Sequence, residues 1–229
     1  MSEQPNYLRS VRSFVRRQGR MTLAQRQGLA DHWESFCLES GAEGLDFKTL
    51  FGRDAPTYVE IGFGNGDNLA AMAAAQPHHN FIGIEVHRPG VGQLLTQLQQ
   101  QASTNVRIYC HDAIEILNRN IPNHSLAGIF LFFPDPWPKL RHHKRRIVQP
   151  EFVDLIAQKL QPGGTLHMAT DWEHYAKQML TVMQASPSFI NQASDNGYLP
   201  RPDHRPLTKF EKRGQRLGHA IWDLIFVRE

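Results

Sequence analysis

The sequence predicts an α/β fold built on a doubly wound, mostly parallel sheet. Three observations predict it. Short apolar runs alternate with helical patterns across residues 57–169, a glycine turn (Gly62, Gly64, Gly66) follows the first run at once, and residues 126–133 are almost continuously apolar, as a strand buried on both faces must be. Strands separated by helices in this way join parallel neighbours through right-handed crossovers.

The elements follow in order. Residues 1–20 carry Arg9, Arg12, Arg16, Arg17 and Arg20 among few apolar residues, which predicts a basic arm that is partly disordered alone and orders on RNA. Residues 22–39 have a helical period through Leu23, Leu29, Trp33 and Phe36, with Thr22 as N-cap and Gly41 and Gly44 as the stop. Residues 1–53 are thus an arm and helix, and residues 54–229 the main domain. Strands are expected over 58–61, 81–86, 106–109, 126–133 and 165–169. Helices are expected over 68–75, 91–101, through Ile114 and Leu117, over 151–160 with Pro162-Gly163-Gly164 closing it, and over 172–183. An irregular polar region then leads to a last apolar strand over 221–227.

Composition bounds the class. With 229 residues, 41% hydrophobic and 21% charged, the chain has the make-up of one globular domain with an N-terminal extension. Its longest apolar run is the 126–133 strand, too short to span a membrane, and the first residues are polar and basic, so a cytoplasmic protein without membrane contact is expected. Cys37 and Cys110 show neither disulfide nor metal spacing, and His142-His143 lies among cations that would repel an ion, so no metal is expected. Net charge is only +3, but it is segregated. Residues 1–26 hold six Arg against one acid, 139–146 five cations and no acid, and 201–216 six cations against two acids, whereas 54–138 hold three Arg and seven acids. A rim that touches a polyanion around a centre that holds a cationic small molecule fits this layout.

The chemistry concentrates after the 126–133 strand. Pro134, Pro136 and Pro138 stiffen the loop that carries Asp135 and Trp137, and Lys139, Arg141, Lys144, Arg145 and Arg146 follow, with His142 and His143 between them. A carboxylate and an aromatic face beside a cationic strip form a site for a base and its phosphates.

Upstream, Glu60-Ile61-Gly62-Phe63-Gly64-Asn65-Gly66 is a nucleotide-binding loop, but the dinucleotide fingerprint needs a glycine where Asp67 stands. Charge also disfavours a pyrophosphate there, and with it a dehydrogenase. Glu85, closing the second strand, is placed to accept both hydroxyls of a ribose, and Asp112, after the third, to bind an adenine amino group. Glu60, Glu85, Asp112 and Asp135 are expected to converge on one crevice.

The segments VEIGFGNG, FIGIEVHRPGVG, LFFPDPWPKLRHHKRRIVQ, HMATDW and RPLTKFEKRGQRLGHAIWDL resemble those of the bacterial tRNA (guanine-N7-)-methyltransferase family over essentially all of residues 55–229. The resemblance implies a Rossmann-like class I methyltransferase fold with an antiparallel C-terminal strand. It also implies methyl transfer from S-adenosylmethionine, leaving S-adenosylhomocysteine, to N7 of a guanine in the tRNA variable loop, giving 7-methylguanosine. Carried over by motif, Glu60, Gly62, Gly64, Glu85, Asp112 and Asp135 bind the cofactor, with Asp135 catalytic. Lys139, Asp171, Thr208, Lys209, Phe210 and Glu211 contact the substrate. Arg141, His142, His143, Lys144, Arg145 and Arg146 contact RNA. Pro138 stands where family members often have His. In this reading Asp135 and Asp171 hold the guanine edge, Trp137 stacks on the purine, and Thr208 and Glu211 close the pocket. The alternatives are an amino-group RNA methyltransferase acting on adenine or guanine, and a non-catalytic RNA-binding protein with a relict cofactor fold. A monomer is slightly favoured over an oligomer.

Overall fold

The computed structural model describes residues 13–14, 19–41, 44–203, 205–207, 211 and 220–229. Its centre is a sheet of β1 (Thr57–Ile61), β2 (Asn80–Ile84), β3 (Val106–Tyr109), β4 (Leu126–Phe132), β5 (Leu160–Thr170), β6 (Phe189–Asn191) and β7 (Trp222–Arg228). The helices are α1 (Leu23–Phe36), α2 (Phe47–Phe51), α3 (Asp67–Ala75), α4 (Arg88–Gln100), α5 (Ala113–Arg119), α6 (Pro150–Lys159) and α7 (Glu173–Gln184), and Leu140–Arg145 forms a 3-10 helix. The strands lie in the order β3-β2-β1-β4-β5-β7-β6. β1 to β5 pair in parallel, and β7 runs antiparallel between β5 and β6. The order reverses between β1 and β4, so a crevice opens at their carboxyl ends, where open α/β sheets bind ligands.

Alternation along each strand feeds two apolar layers. In β4, Ile129 and Leu131 pack with Ile116, Phe152, Ile156 and Met179 of α5, α6 and α7. Phe130 and Phe132 face the opposite layer with Leu69, Met72, Leu94 and Leu98 of α3 and α4. Removal of each such side chain from water contributes about 1.5–3 kcal/mol, and that double burial is why β4 reads as a nearly unbroken apolar run.

Helix α1 begins where expected. Thr22 Oγ1 accepts from Gln25 N at 3.2 Å and Gln25 Oε1 accepts from Thr22 N at 2.9 Å, a reciprocal cap. It ends earlier than Gly41. Cys37 N still donates to Trp33 O, but Leu38 N then donates to Ile108 O at 2.8 Å, so pairing with the sheet edge stops the helix before any glycine is reached. Helix α1 crosses α4 at Gly28 and Gly92. A Cβ on Gly28 would overlap the Gly92 carbonyl, and one on Gly92 the Gln25 carbonyl.

Other departures have local causes. The second strand stops at Ile84, because the next carboxylate captures the following backbone N–H groups. Pro162-Gly163-Gly164 does not close a helix. Leu160 already pairs with Leu126, the next pair is Gly128 with Thr165, and the residues between them bulge from β5. The region before β7 contains the three-residue β6 on the far edge of the sheet.

Candidate active site

Gly62, Gly64 and Gly66 have φ of 72°, 60° and 81°, the left-handed region where a side chain is strained. A Cβ on Gly62 or Gly64 would meet nothing within 4 Å, so backbone conformation rather than crowding calls for glycine. The Gly64 carbonyl presses on Gly90, which has no room for a Cβ, so α4 backs the loop. Beside the loop lies a cavity of about 880 Å³, lined by Gly62, Glu85, Asp112 and Asp135 and by apolar Ile61, Ile84, Leu131 and Phe132. Ser13, Phe14 and Met21 also line it, and sequence reading did not place them there.

Three of the four expected acids converge on this cavity. Glu85 is held firmly, with Oε2 accepting from Gly64 N at 2.9 Å and Oε1 from Val86 N at 2.6 Å and His87 N at 2.9 Å. Three of about four acceptor directions are thus taken by backbone, leaving roughly one for a ligand hydroxyl rather than the expected two. Asp112 lines the cavity and also caps α5, accepting from Ile114 N at 3.0 Å, so one carboxylate serves both roles. Asp135 sits at the rim, exposed, and among the described residues its carboxylate accepts no hydrogen bond.

Glu60 is the exception. It is 3% exposed, lies beneath the loop rather than on the cavity wall, and accepts from Asn68 Nδ2 at 3.2 Å. Burial, with a smaller push from Glu85, raises its pKa to about 7. Glu60 Oε2 and Asn68 Oδ1 are both buried without a partner, an arrangement that a protonated Glu60 hydroxyl eases.

The loop after β4 departs more from expectation. Arg146, expected on the RNA strip, is 2% exposed. Its Nε donates to Pro136 O at 2.8 Å, its Nη groups reach His143, His174 and Gln178, and it lies 4.8 Å from the Tyr175 ring centre. It is a strut between the acidic loop and α7, not a phosphate contact, because all of its donor edges are turned inward. Trp137 does not offer an open face. Its Nε1 donates to Ser13 O at 3.0 Å, Arg145 lies over its ring at 4.4 Å and His142 stacks on it at 5.8 Å. Desolvation and neighbouring guanidinium groups hold His142 and His143 below the ordinary imidazole range. Lys139, Arg141 and Lys144 remain exposed.

Asp171 is exposed at the carboxyl end of β5. Phe133 N donates to Ala169 O at 2.7 Å, which sets the Asp171 turn beside the Asp135 loop. Thr208, Lys209 and Phe210 lie outside the described residues, as does most of the basic arm. Glu211 is 2% exposed and faces inward, its two oxygens accepting from Arg205 Nη1 at 2.6 Å and Nη2 at 2.9 Å. Arg205, fully buried, also donates to both oxygens of Asp223, and Asp223 bonds His167 Nε2 at 2.8 Å. Burial lowers the His167 pKa against the pull of Asp223. This network sits under Phe132 and Phe133, where the acidic loop begins. Sequence reading missed Arg205, His167 and Asp223. Their only signal, an arginine six residues before Glu211, reads equally well as surface charge.

A protein-family model described as "Putative methyltransferase" matches residues 54–224. The chain is 56% identical to a tRNA (guanine-N(7)-)-methyltransferase of Hydrogenovibrio crunogenus, over 98% of this chain and 93% of the relative. It is likewise 56% identical to the enzyme of that name from Aeromonas hydrophila, over 99% and 96%. Among solved structures it is similar in fold to the 16S rRNA methyltransferase KamB, with a TM-score of 0.55 at 15% identity over 82% of this chain and 96% of that one. The family model and the relatives agree on a methyltransferase, and the solved structure shares the fold.

Proposed function

The chain belongs to the tRNA (guanine-N(7)-)-methyltransferase family, and from that membership we propose how its residues divide the work. The reaction is transfer of a methyl group from S-adenosylmethionine to N7 of a guanine in tRNA. S-adenosylmethionine supplies an electrophilic methyl on a positively charged sulfur. The cavity fits such a donor. Glu85, Asp112 and Asp135 favour a cation over an anion, and Ile61, Ile84 and Leu131 give an aromatic ring apolar surface.

Guanine N7 has a lone pair and no proton, so no general base is required. The protein's task is to hold N7 in line with the transferred methyl and to stabilise positive charge as it develops on the purine. Asp135, at the rim between cavity and solvent, is the residue for both. It accepts from the guanine edge and its negative charge favours the cationic product. Asp171, one strand away, holds the other part of that edge. Glu85 and Asp112 orient the donor inside. Lys139, Arg141 and Lys144 meet phosphates flanking a guanine of the variable loop. Base extrusion from the stack precedes all of this.

The observation that carries the reading is the convergence of three strand-end carboxylates on one cavity with Asp135 at its open rim. Incubation with labelled S-adenosylmethionine and an unmodified tRNA transcript, followed by nucleoside analysis, tests it. Label in 7-methylguanosine is the expected result. Label on an exocyclic nitrogen, or none, contradicts it.

A further inference from the structure

A purine presented for attack at N7 needs a surface against one of its faces as well as acceptors along its edge, because edge contacts alone leave it free to tilt out of line. Trp137 is engaged by Arg145, His142 and Ser13 and offers no such surface. Among the described residues the one exposed large aromatic side chain is Trp172, at 40%. Its indole has neither a hydrogen-bond nor a ring partner among those residues, and it does not line the cofactor cavity.

Its backbone is fixed. Trp172 N donates to Thr170 Oγ1 at 3.2 Å, and Trp172 O accepts from Tyr175 N and Ala176 N at 2.9 Å each as the N-cap of α7. It follows Asp171 directly. Through the Phe133 to Ala169 hydrogen bond, that turn stands next to the loop bearing Asp135. A solvent-facing indole on a fixed backbone therefore stands outside the cavity, next to the loop that bears Asp135 at the cavity's edge.

We propose that Trp172 is the stacking platform for the target guanine, a role that rests on the methyl-transfer reading above. Asp135 and Asp171 read the edge of the base, and Trp172 holds its face. Loss of one base–aromatic stack slows a step that depends on it by about 5- to 150-fold.

Single-turnover methylation of an unmodified tRNA transcript by wild type, Trp172→Phe and Trp172→Leu tests this. Leu keeps apolar bulk without a ring, so a packing role would tolerate it as well as Phe. The expected result is a rate within about fivefold of wild type for Trp172→Phe and a loss within the range above for Trp172→Leu. Affinity for S-adenosylmethionine and the thermal midpoint stay unchanged in both. A transcript with 2-aminopurine at the target position adds a direct readout, quenched on wild type and bright on Trp172→Leu. Equal rates for Leu and Phe, or equal 2-aminopurine signals on wild type and Trp172→Leu, overturn the proposal. A wild-type protein that forms no 7-methylguanosine overturns the reading beneath it.

Discussion

The Arg146 guanidinium holds the Pro136 carbonyl at 2.8 Å, in the middle of the loop that carries Asp135 and Trp137. The same guanidinium reaches His174 and Gln178 on α7 and His143 on the 3-10 helix, so three elements meet at one buried cation. A planar fork with five donors can do this, whereas an ammonium on a flexible stem cannot match the geometry.

Arg146→Lys is therefore expected to lower the methyl-transfer rate by about tenfold or more, one charge-assisted hydrogen bond being worth roughly 1.5–3 kcal/mol. Affinity for tRNA and its salt dependence should hold. A changed salt slope with an unchanged rate would return Arg146 to the RNA surface.

The exposed cations behave differently. Arg141→Ala and Lys144→Ala are each expected to weaken tRNA binding and to flatten the plot of log affinity against log salt by about 0.7–0.9 for each phosphate no longer neutralised. Binding measured across a salt series checks this, and a slope equal to wild type means that the side chain does not meet a phosphate.

Glu60 predicts a pH dependence of stability. Its pKa is about 7 folded against an ordinary 4.5, so between those values the folded chain holds the proton more tightly than the unfolded one. Stability then falls as pH rises through that window, by on the order of 3 kcal/mol in all. Glu60→Gln, which cannot ionise, should be spared this loss and so gain on wild type between pH 4.5 and 7. Denaturant unfolding at pH 4 and pH 8 checks it. A stability difference between the two proteins that is the same at both pH values would show that burial does not raise the Glu60 pKa.

Arg205 is paired with two buried carboxylates, Glu211 and Asp223. Arg205→Ala removes the guanidinium that bridges them, leaving Arg201 at 4.0 Å from Glu211 and His167 on Asp223, and is expected to cost about 3–5 kcal/mol of unfolding free energy. A loss below about 1 kcal/mol in urea unfolding would mean that water reaches the site and replaces the guanidinium.

Much of the sheet was legible because double burial writes itself into sequence. Ile129 to Phe132 face both layers and none can be polar, and Gly62, Gly64 and Gly66 all take the positive φ that a tight turn after the first strand requires. Glu85, Asp112 and Asp135 were legible as strand-end acids for the same reason, since a strand fixes where its next residue points. What could not be read was which cations fold inward. Arg145 and Arg146 are neighbours with the same charge and local composition, yet only Arg146 is buried, because His174 and Gln178, 28 and 32 residues on, wait beneath it. Trp137 misled in the same way. Its apparent freedom in PDPW vanishes once Ser13, more than a hundred positions earlier, accepts its N–H. Glu60 was grouped with the cavity acids by its place at a strand end, but its side chain turned under the loop rather than over it.

The most direct test of the whole account is single-turnover methylation by Asp135→Asn, a change that keeps shape and removes charge at the cavity rim. The variant is expected to bind tRNA nearly as wild type does and to form almost no 7-methylguanosine. Methylation at the wild-type rate would contradict it.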